Sequence, residues 1–498
     1  MRKILLFCLS VCLFAVSMPK FNWFIAAFFF LVPLLMILEN QKARRGFATL
    51  FLFSFFSYLL ILYWIPNVMV YYGGMGRAVS VLGLIILSAF LSTFSGFAGT
   101  LIKYFLRKGY AAMLFIPLAW VAKDLVVEHV LGGFPWCLTG YSQLPNSLFI
   151  QVAEWGGVHL ITFLVVFLNT AIYFFWKQRD KRVLIAIGVC LIGIYSSGFY
   201  LKQSALAAIE PLPVHKAGII QPNAKPEEYL SWPQKKLRLQ ELFTQSLQLK
   251  DKGAEFVVWP EFTVSLYPLQ TETIKRQFTE FTAKTVPLIA GFTDLQGHQK
   301  IYNSSILFDG DNISKYDKVH LTPFGEYVLF RDYLFFVKRI VDEISDFSPG
   351  EEVRNLYVDG HALASPICYE VIFPELVRDF VAKGAELLIT ISNDSWFGDT
   401  SAPYQHLGMA IFRCVENRRY LLRSTTNGVS ALVDPTGALL YHSPYNSEDR
   451  FIASFKYIRT KTVFTRFGYL FPYFCLGLLL LVLGWQWLAV LRKKRNSN

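Results

Sequence analysis

The strongest constraint on this chain is a series of apolar runs, each close to the roughly 20 residues that a helix needs to cross a bilayer. Eight such runs are expected, over residues 4–18, 21–38, 47–66, 79–102, 110–127, 148–176, 183–201 and 467–490. The fifth ends among Lys123, Asp124 and Glu128. The stretch after it, GGFPWCLTGYSQLPN (132–146), is rich enough in Gly, Pro and aromatic residues to form a re-entrant or interfacial loop. All eight runs lie in the first two hundred residues or the last thirty. Between them, residues 203–462 form a polar block long enough to bury its own core. The chain therefore reads as a membrane domain of about seven helices (1–202), a water-facing domain (203–462) and an eighth helix with a basic tail (463–498).

Basic residues set the orientation. They gather in alternate loops and at the ends: Arg2 and Lys3; Lys42, Arg44 and Arg45; Lys103, Arg107 and Lys108; Lys177, Arg179, Lys181 and Arg182; and Arg492, Lys493, Lys494 and Arg495. Only Glu39 and Asp180 oppose them, whereas the intervening loops and span ends hold just Lys20, Arg77 and Lys123. Both termini are thus expected in the cytoplasm and the polar block outside. The same distribution accounts for the net charge of +12. The basicity is a topology signal, not a nucleic-acid surface. The first run resembles a signal peptide ending in FAVSM, but a second apolar run follows at once, so we read it as a retained helix. Phe7 and Val11 precede Cys8 and Cys12 where lipid attachment would need a small residue.

The seven cysteines make an odd set. Cys8, Cys12, Cys190 and Cys475 fall in spans and Cys137 in an outer loop, which leaves Cys368 and Cys414 in the polar block. Outside the cytoplasm these two could form a disulfide, or Cys368 could be a small buried hydrophobe. Strand-like runs at 217–223, 255–262, 287–294, 303–310, 361–370, 385–394 and 430–437 alternate with helical patterns near 229–250, 271–284, 372–383 and 403–418. Such alternation predicts a layered α/β domain. No internal repeat, phosphate loop, dinucleotide fingerprint or metal-ligand cluster interrupts it.

Three places in this block carry residues suited to chemistry. In VVWPEF, Glu261 follows an apolar strand. A partly desolvated carboxylate there would suit a general base, although a lone Glu after a strand is more often a solvated loop residue. KYDKVHLTPFGEYV (315–328) holds Lys318, an ammonium able to stabilise an oxyanion, together with Glu326. SPICYE (365–370) places Cys368 before Tyr369 and Glu370, and a thiol is an acyl-transfer nucleophile once a base takes its proton. No histidine lies in a recognisable partner motif, so a Glu–Lys–Cys set is the available arrangement.

WPEF, YDKVHLTPFGEY and ICYE together resemble the Glu, Lys and Cys motifs of the nitrilase superfamily. The chain is most similar to its membrane branch, the bacterial apolipoprotein N-acyltransferases. The block SNDSWFGDTSAPYQHLGMAIFRCVENRRYLLRSTTNGVSALVDPTG (392–437) extends the likeness, as do eight spans with the domain between the seventh and eighth. The resemblance implies a polytopic α-helical membrane domain joined to a nitrilase-like αββα sandwich. It also implies that Cys368 is the nucleophile, Glu261 the general base and Lys318 the oxyanion stabiliser. Glu326 would be a second active-site glutamate, Trp232 in EEYLSWPQ a supporting loop residue, and Tyr369 and Glu370 residues that shape the pocket. SPICYE and the QPNAKPEE stretch (221–228) differ in detail from the family's usual forms. The implied reaction moves an acyl chain from a phospholipid, through a cysteine thioester, to the amine of diacylglyceryl-cysteine on an apolipoprotein. It would occur on the periplasmic side of the bacterial inner membrane, in a monomer, without metal or organic cofactor. A membrane-tethered amidase or lipase using the same residues, and a non-catalytic transport or assembly scaffold, are the alternatives.

Overall fold

The computed structural model describes residues 1–71, 74–224, 230–297, 300–323, 325–327 and 347–496. Residues 225–228 of QPNAKPEE and Phe324 of the PFGE motif lie outside the described residues. The chain divides into two compact units, one of Met1–Tyr63, Leu82–Leu201 and Phe467–Asn498, the other of Trp64–Val81 and Lys202–Arg466.

The first unit is helical. Among the described residues, five helical stretches are long and apolar enough to cross a membrane: Arg44–Ile61, Arg77–Gly132, Phe149–Gln178, Lys181–Ile209 and Leu470–Arg492. The second of these contains two helices, Arg77–Phe105 and Ala112–His129, separated where Gly109 takes φ +65°. The amino-terminal helix Arg2–Ser17 and the apolar pair Phe24–Phe28 and Leu31–Leu38 are shorter. A break between short helices frees backbone groups that nothing apolar can satisfy. Asn169 meets that need: its amide donates to the Ala27 carbonyl at 2.7 Å and its carbonyl oxygen accepts from the Leu31 N–H at 2.9 Å. Close helix crossing requires small residues. At Gly46 and Gly99 the backbones approach so closely that a Cβ on either would sit 2.4 Å from the other's carbonyl oxygen. The 132–146 stretch is packed inside this unit as turns, with Trp136, Tyr141 and Gln143 buried, and Trp120 donates its indole N–H to Thr139 at 3.0 Å.

Two six-stranded sheets build the second unit. The first runs in the order β12-β1-β2-β3-β4-β5, with β1 His215–Gln221, β2 Phe256–Val258, β3 Leu288–Gln296, β4 Lys300–Asp309, β5 Asn312–Asp317 and β12 Asp449–Phe455. The other runs β11-β10-β9-β8-β7-β6, with β6 Leu356–Val358, β7 His361–Ala364, β8 Leu387–Ser392, β9 Leu421–Thr425, β10 Ala431–Val433 and β11 Leu439–His442. In each sheet three central strands are parallel and the outer pairings antiparallel. The sheets meet face to face: Ser424 on β9 donates to the Ile220 carbonyl on β1 at 2.8 Å, and Ser305 on β4 bonds Ser365 after β7 at 2.7 Å. Helices Trp232–Asp251 and Glu272–Lys284 cover the outside of the first sheet through Leu242, Leu249 and Phe278. Pro374–Ala382 and Ala402–Asn417 belong to the second half. This is the expected αββα sandwich.

Several strands are shorter than their apolar runs suggest, and proline is the reason. Pro lacks an N–H and biases the residue before it, so it ends strand pairing. Pro260 follows β2, Pro366 follows β7 and Pro435 follows β10. Cys368 is therefore not on a strand, as its apolar neighbours suggested, but opens the 3₁₀ turn Cys368–Ile372.

Candidate active site

Each motif residue sits where a strand has just ended. After β2, Trp259 is fully buried and donates to Ser246 at 2.9 Å, and Pro260 then turns the chain. The turn passes so close to β3 that a Cβ on Gly291 would lie 2.6 Å from the Glu261 Cα. Phe262 takes φ +49°, a conformation that costs a non-glycine residue about 1–3 kcal/mol and persists only when its surroundings enforce it. Glu261 is thereby aimed inward and is 3% exposed. Its Oε1 accepts from the Asn303 amide at 2.7 Å and its Oε2 from the Asn393 N–H at 2.8 Å.

Lys318 follows β5 and is equally buried. Its Nζ lies 3.0 and 2.8 Å from the two carboxylate oxygens of Glu326 and 3.9 Å from Glu261 Oε1. Asn303, on β4, ties the two glutamates together, because the same Nδ2 also donates to Glu326 Oε1 at 2.7 Å. One cation thus faces two carboxylates. Burial raises the Glu261 pKa above the ordinary glutamate value, Lys318 opposes that and Glu326 adds to it. For Lys318, burial alone would depress the ammonium's pKa; Glu326, Glu261 and Cys368 outweigh it, so the lysine stays charged.

Cys368 is partly exposed and, like Phe262, adopts φ +49°. Burial of its sulfur and the Glu261 charge push the thiol pKa well up, with Lys318 pulling the other way. The resting sulfur is a thiol, and a base must remove its proton. Cys368 and Cys414 are both free, and Cys414 is fully buried on helix Ala402–Asn417. Tyr369 is buried beside Cys368, its ring 5.3 Å from that of Phe373. Glu370 is wholly buried and its oxygens are taken up by the protein: Oε1 accepts from Tyr316 Oη at 2.7 Å, Val319 N at 2.8 Å and His320 N at 3.0 Å, and Oε2 from Ile367 N at 2.7 Å. It staples the segment after Lys318 to the residue before Cys368. Burial raises its pKa to about 7 against the pull of those donors.

Trp232 stands apart. It begins helix Trp232–Asp251 at 61% exposure, and no hydrogen bond or ring contact joins it to Glu261, Lys318 or Cys368 among the described residues. Sequence reasoning gave no role to Asn303, or to a second charged group formed by Asp394, His406 and Arg423. Arg423 Nη2 donates to both Asp394 oxygens, at 3.1 and 2.9 Å, and lies 3.0 Å from His406 Nδ1. His406 Nε2 reaches the Cys368 backbone carbonyl at 3.0 Å. The available signals were an Asn beginning the apolar NSSIL run and an Arg in the middle of LLRST, since a buried strand carries such groups only when they are paired. Among the described residues, no group of three or more His, Cys, Asp or Glu side chains is placed to hold a metal ion.

A cysteine at a left-handed φ, a desolvated carboxylate and a buried cation form a set whose chemistry would suit acyl transfer. A family described as the apolipoprotein N-acyltransferase N-terminal domain matches residues 10–171, and the carbon-nitrogen hydrolase family matches residues 216–460. The chain is 30% identical over 494 residues to an apolipoprotein N-acyltransferase of Geobacter metallireducens, covering 96% of this chain and 94% of that one. To the same-named protein of Pseudomonas putida it is 32% identical over 419 residues, covering 82% and 81%. For that of Aquifex aeolicus the figures are 28% over 458 residues, covering 91% and 99%.

Proposed function

The chain belongs to the apolipoprotein N-acyltransferase family, and on that premise we propose that it is an acyltransferase that moves a fatty acyl chain from a membrane phospholipid to the N-terminal amine of diacylglyceryl-cysteine on apolipoproteins. Glu261 takes the thiol proton as Cys368 Sγ bonds to the ester carbonyl carbon. The carbonyl electron pair moves to oxygen, where Lys318 and the Tyr369 N–H stabilise it. Collapse breaks the ester C–O bond, and Glu261 returns its proton to the departing lysophospholipid oxygen. The lipoprotein amine then attacks the thioester and gives a proton to Glu261; the C–S bond breaks and the thiolate is reprotonated. Glu326 and Asn303 hold Lys318 and Glu261 in register, Glu370 braces both loops, and Tyr369 borders the acyl-binding space. Trp232, exposed at a helix start, contacts substrate from outside the cluster. The catalytic unit lies on the periplasmic side of the inner membrane, as the loop charges suggest.

The observation that carries this reading is that Cys368, a partly exposed residue, lies within electrostatic reach of the buried Glu261 and Lys318. The match along the membrane part of the relatives, as well as the hydrolase-like part, favours transfer between lipid substrates over hydrolysis. The test is turnover by the full chain in detergent with phospholipid and a synthetic diacylglyceryl-cysteinyl peptide. We expect N-acylated peptide and lysophospholipid in equal amounts. Peptide-independent release of free fatty acid would instead make the protein a lipase.

A further inference from the structure

From the Asp394–His406–Arg423 group we infer that His406 is a positioning residue for acyl transfer: by holding the Cys368 carbonyl, it aims the Tyr369 N–H at the developing oxyanion. The inference rests on the reading of Cys368 as the nucleophile. The Cys368–Tyr369 peptide is trans, so the carbonyl of Cys368 and the N–H of Tyr369 point in opposite directions across one planar unit. Fixing one fixes the other. A left-handed φ at Cys368 leaves this plane strained and in need of an anchor, and His406 Nε2 supplies one at 3.0 Å.

The Cys368 carbonyl decides that Nε2 carries a proton. His406 Nδ1 lies 3.0 Å from Arg423 Nη2 and 3.3 Å from Asp394 Oδ1, whereas Nε2 faces the Cys368 carbonyl, which can only accept. A proton therefore sits on Nε2, which must donate to the Cys368 carbonyl. Asp394, bonded by the same Nη2, keeps Arg423 in place. Burial first, and then Arg423, lower the His406 pKa against the pull of Asp394. The ring is also wedged edge-on by Phe397 at 5.8 Å, which in turn meets Trp64 at 5.2 Å. A hydrogen bond to a peptide carbonyl further polarises that peptide's N–H, which strengthens it as a donor.

Two reactions of the full chain in detergent separate this role from mere structural support. Acylation by p-nitrophenyl octanoate forms the S–C bond, breaks the ester C–O bond, expels nitrophenolate and needs the oxyanion site. Alkylation of Cys368 by iodoacetamide displaces iodide and makes no oxyanion. We expect His406→Leu to slow acylation roughly 100-fold while leaving alkylation at the wild-type rate. His406→Gln, whose amide can donate from nearly the Nε2 position, should recover most of the loss. If His406→Leu fails to fold, His406→Asn, too short to reach the carbonyl, takes its place with the same expectation. Wild-type acylation in the non-donating variant, or equal slowing of both reactions, would overturn the assignment. A wild-type chain that is alkylated but never acylated would instead remove the nucleophile reading on which it rests.

Discussion

Two charged clusters flank Cys368, and they are built on opposite plans. The first, Glu261, Lys318 and Glu326, sets one cation against two carboxylates and raises the Glu261 pKa. The second, Asp394 with Arg423, pairs one anion with one cation inside a fully buried site. There, burial would raise the Asp394 pKa, but Arg423, His406 and Ser392 together hold it well below the usual carboxylate range. A cluster with surplus negative charge and a raised carboxyl can accept a proton near neutral pH; a charge-balanced one with a depressed carboxyl cannot. The first is suited to moving a proton, the second to holding a backbone still. The difference shows that burial and charge alone do not mark a base: the count of opposing charges does.

That contrast breaks most readily at Glu261. Glu261→Gln keeps the volume but removes the base, and we expect kcat to fall about 10²–10⁴-fold with little change in thermal unfolding. Lys318→Met should cost about 10²–10³-fold in kcat through the lost oxyanion donor. In the second cluster, breaking the Asp394–Arg423 pair should also cost stability. Arg423→Met leaves the Asp394 charge buried without its partner, a loss of about 3–5 kcal/mol to be read from chemical denaturation. A stable Arg423→Met protein would undo the distinction. The mildest expected effect is on pH. Because the base works ionised, the rate of acylation should rise with pH through the elevated Glu261 value. Glu326→Gln removes the like charge that helps raise it, so the acid limb should move to lower pH. Asn303→Leu removes a donor that lowers it, so the limb should move up.

Glu261, Lys318 and Cys368 were singled out by the combined resemblance of WPEF, YDKVHLTPFGEY and ICYE to family motifs, since each alone reads as an ordinary loop or buried residue. The layered α/β domain was legible from the runs themselves: those at 287–294 and 303–310 correspond to Leu288–Gln296 and Lys300–Asp309. Edge strands such as Leu439–His442, short and exposed along their length, show no alternation of apolar and polar residues and were missed. Asn303, His406 and Arg423 were missed for a different reason. Their partners lie tens of residues away, Arg423 with Asp394 and Asn303 with Glu261, and only strand order within each sheet brings them together. The left-handed φ of Cys368 and Phe262 was equally invisible, since neither residue type favours it. Tertiary packing supplies that geometry.

The central claim is that Cys368 carries the acyl chain. Its most direct test is mass spectrometry of the Cys368 peptide after the full chain has been incubated with phospholipid and no acceptor. The account predicts an added fatty acyl mass that hydroxylamine removes and that is absent in Cys368→Ser. An unmodified Cys368 thiol in a preparation that still acylates lipopeptide would contradict it.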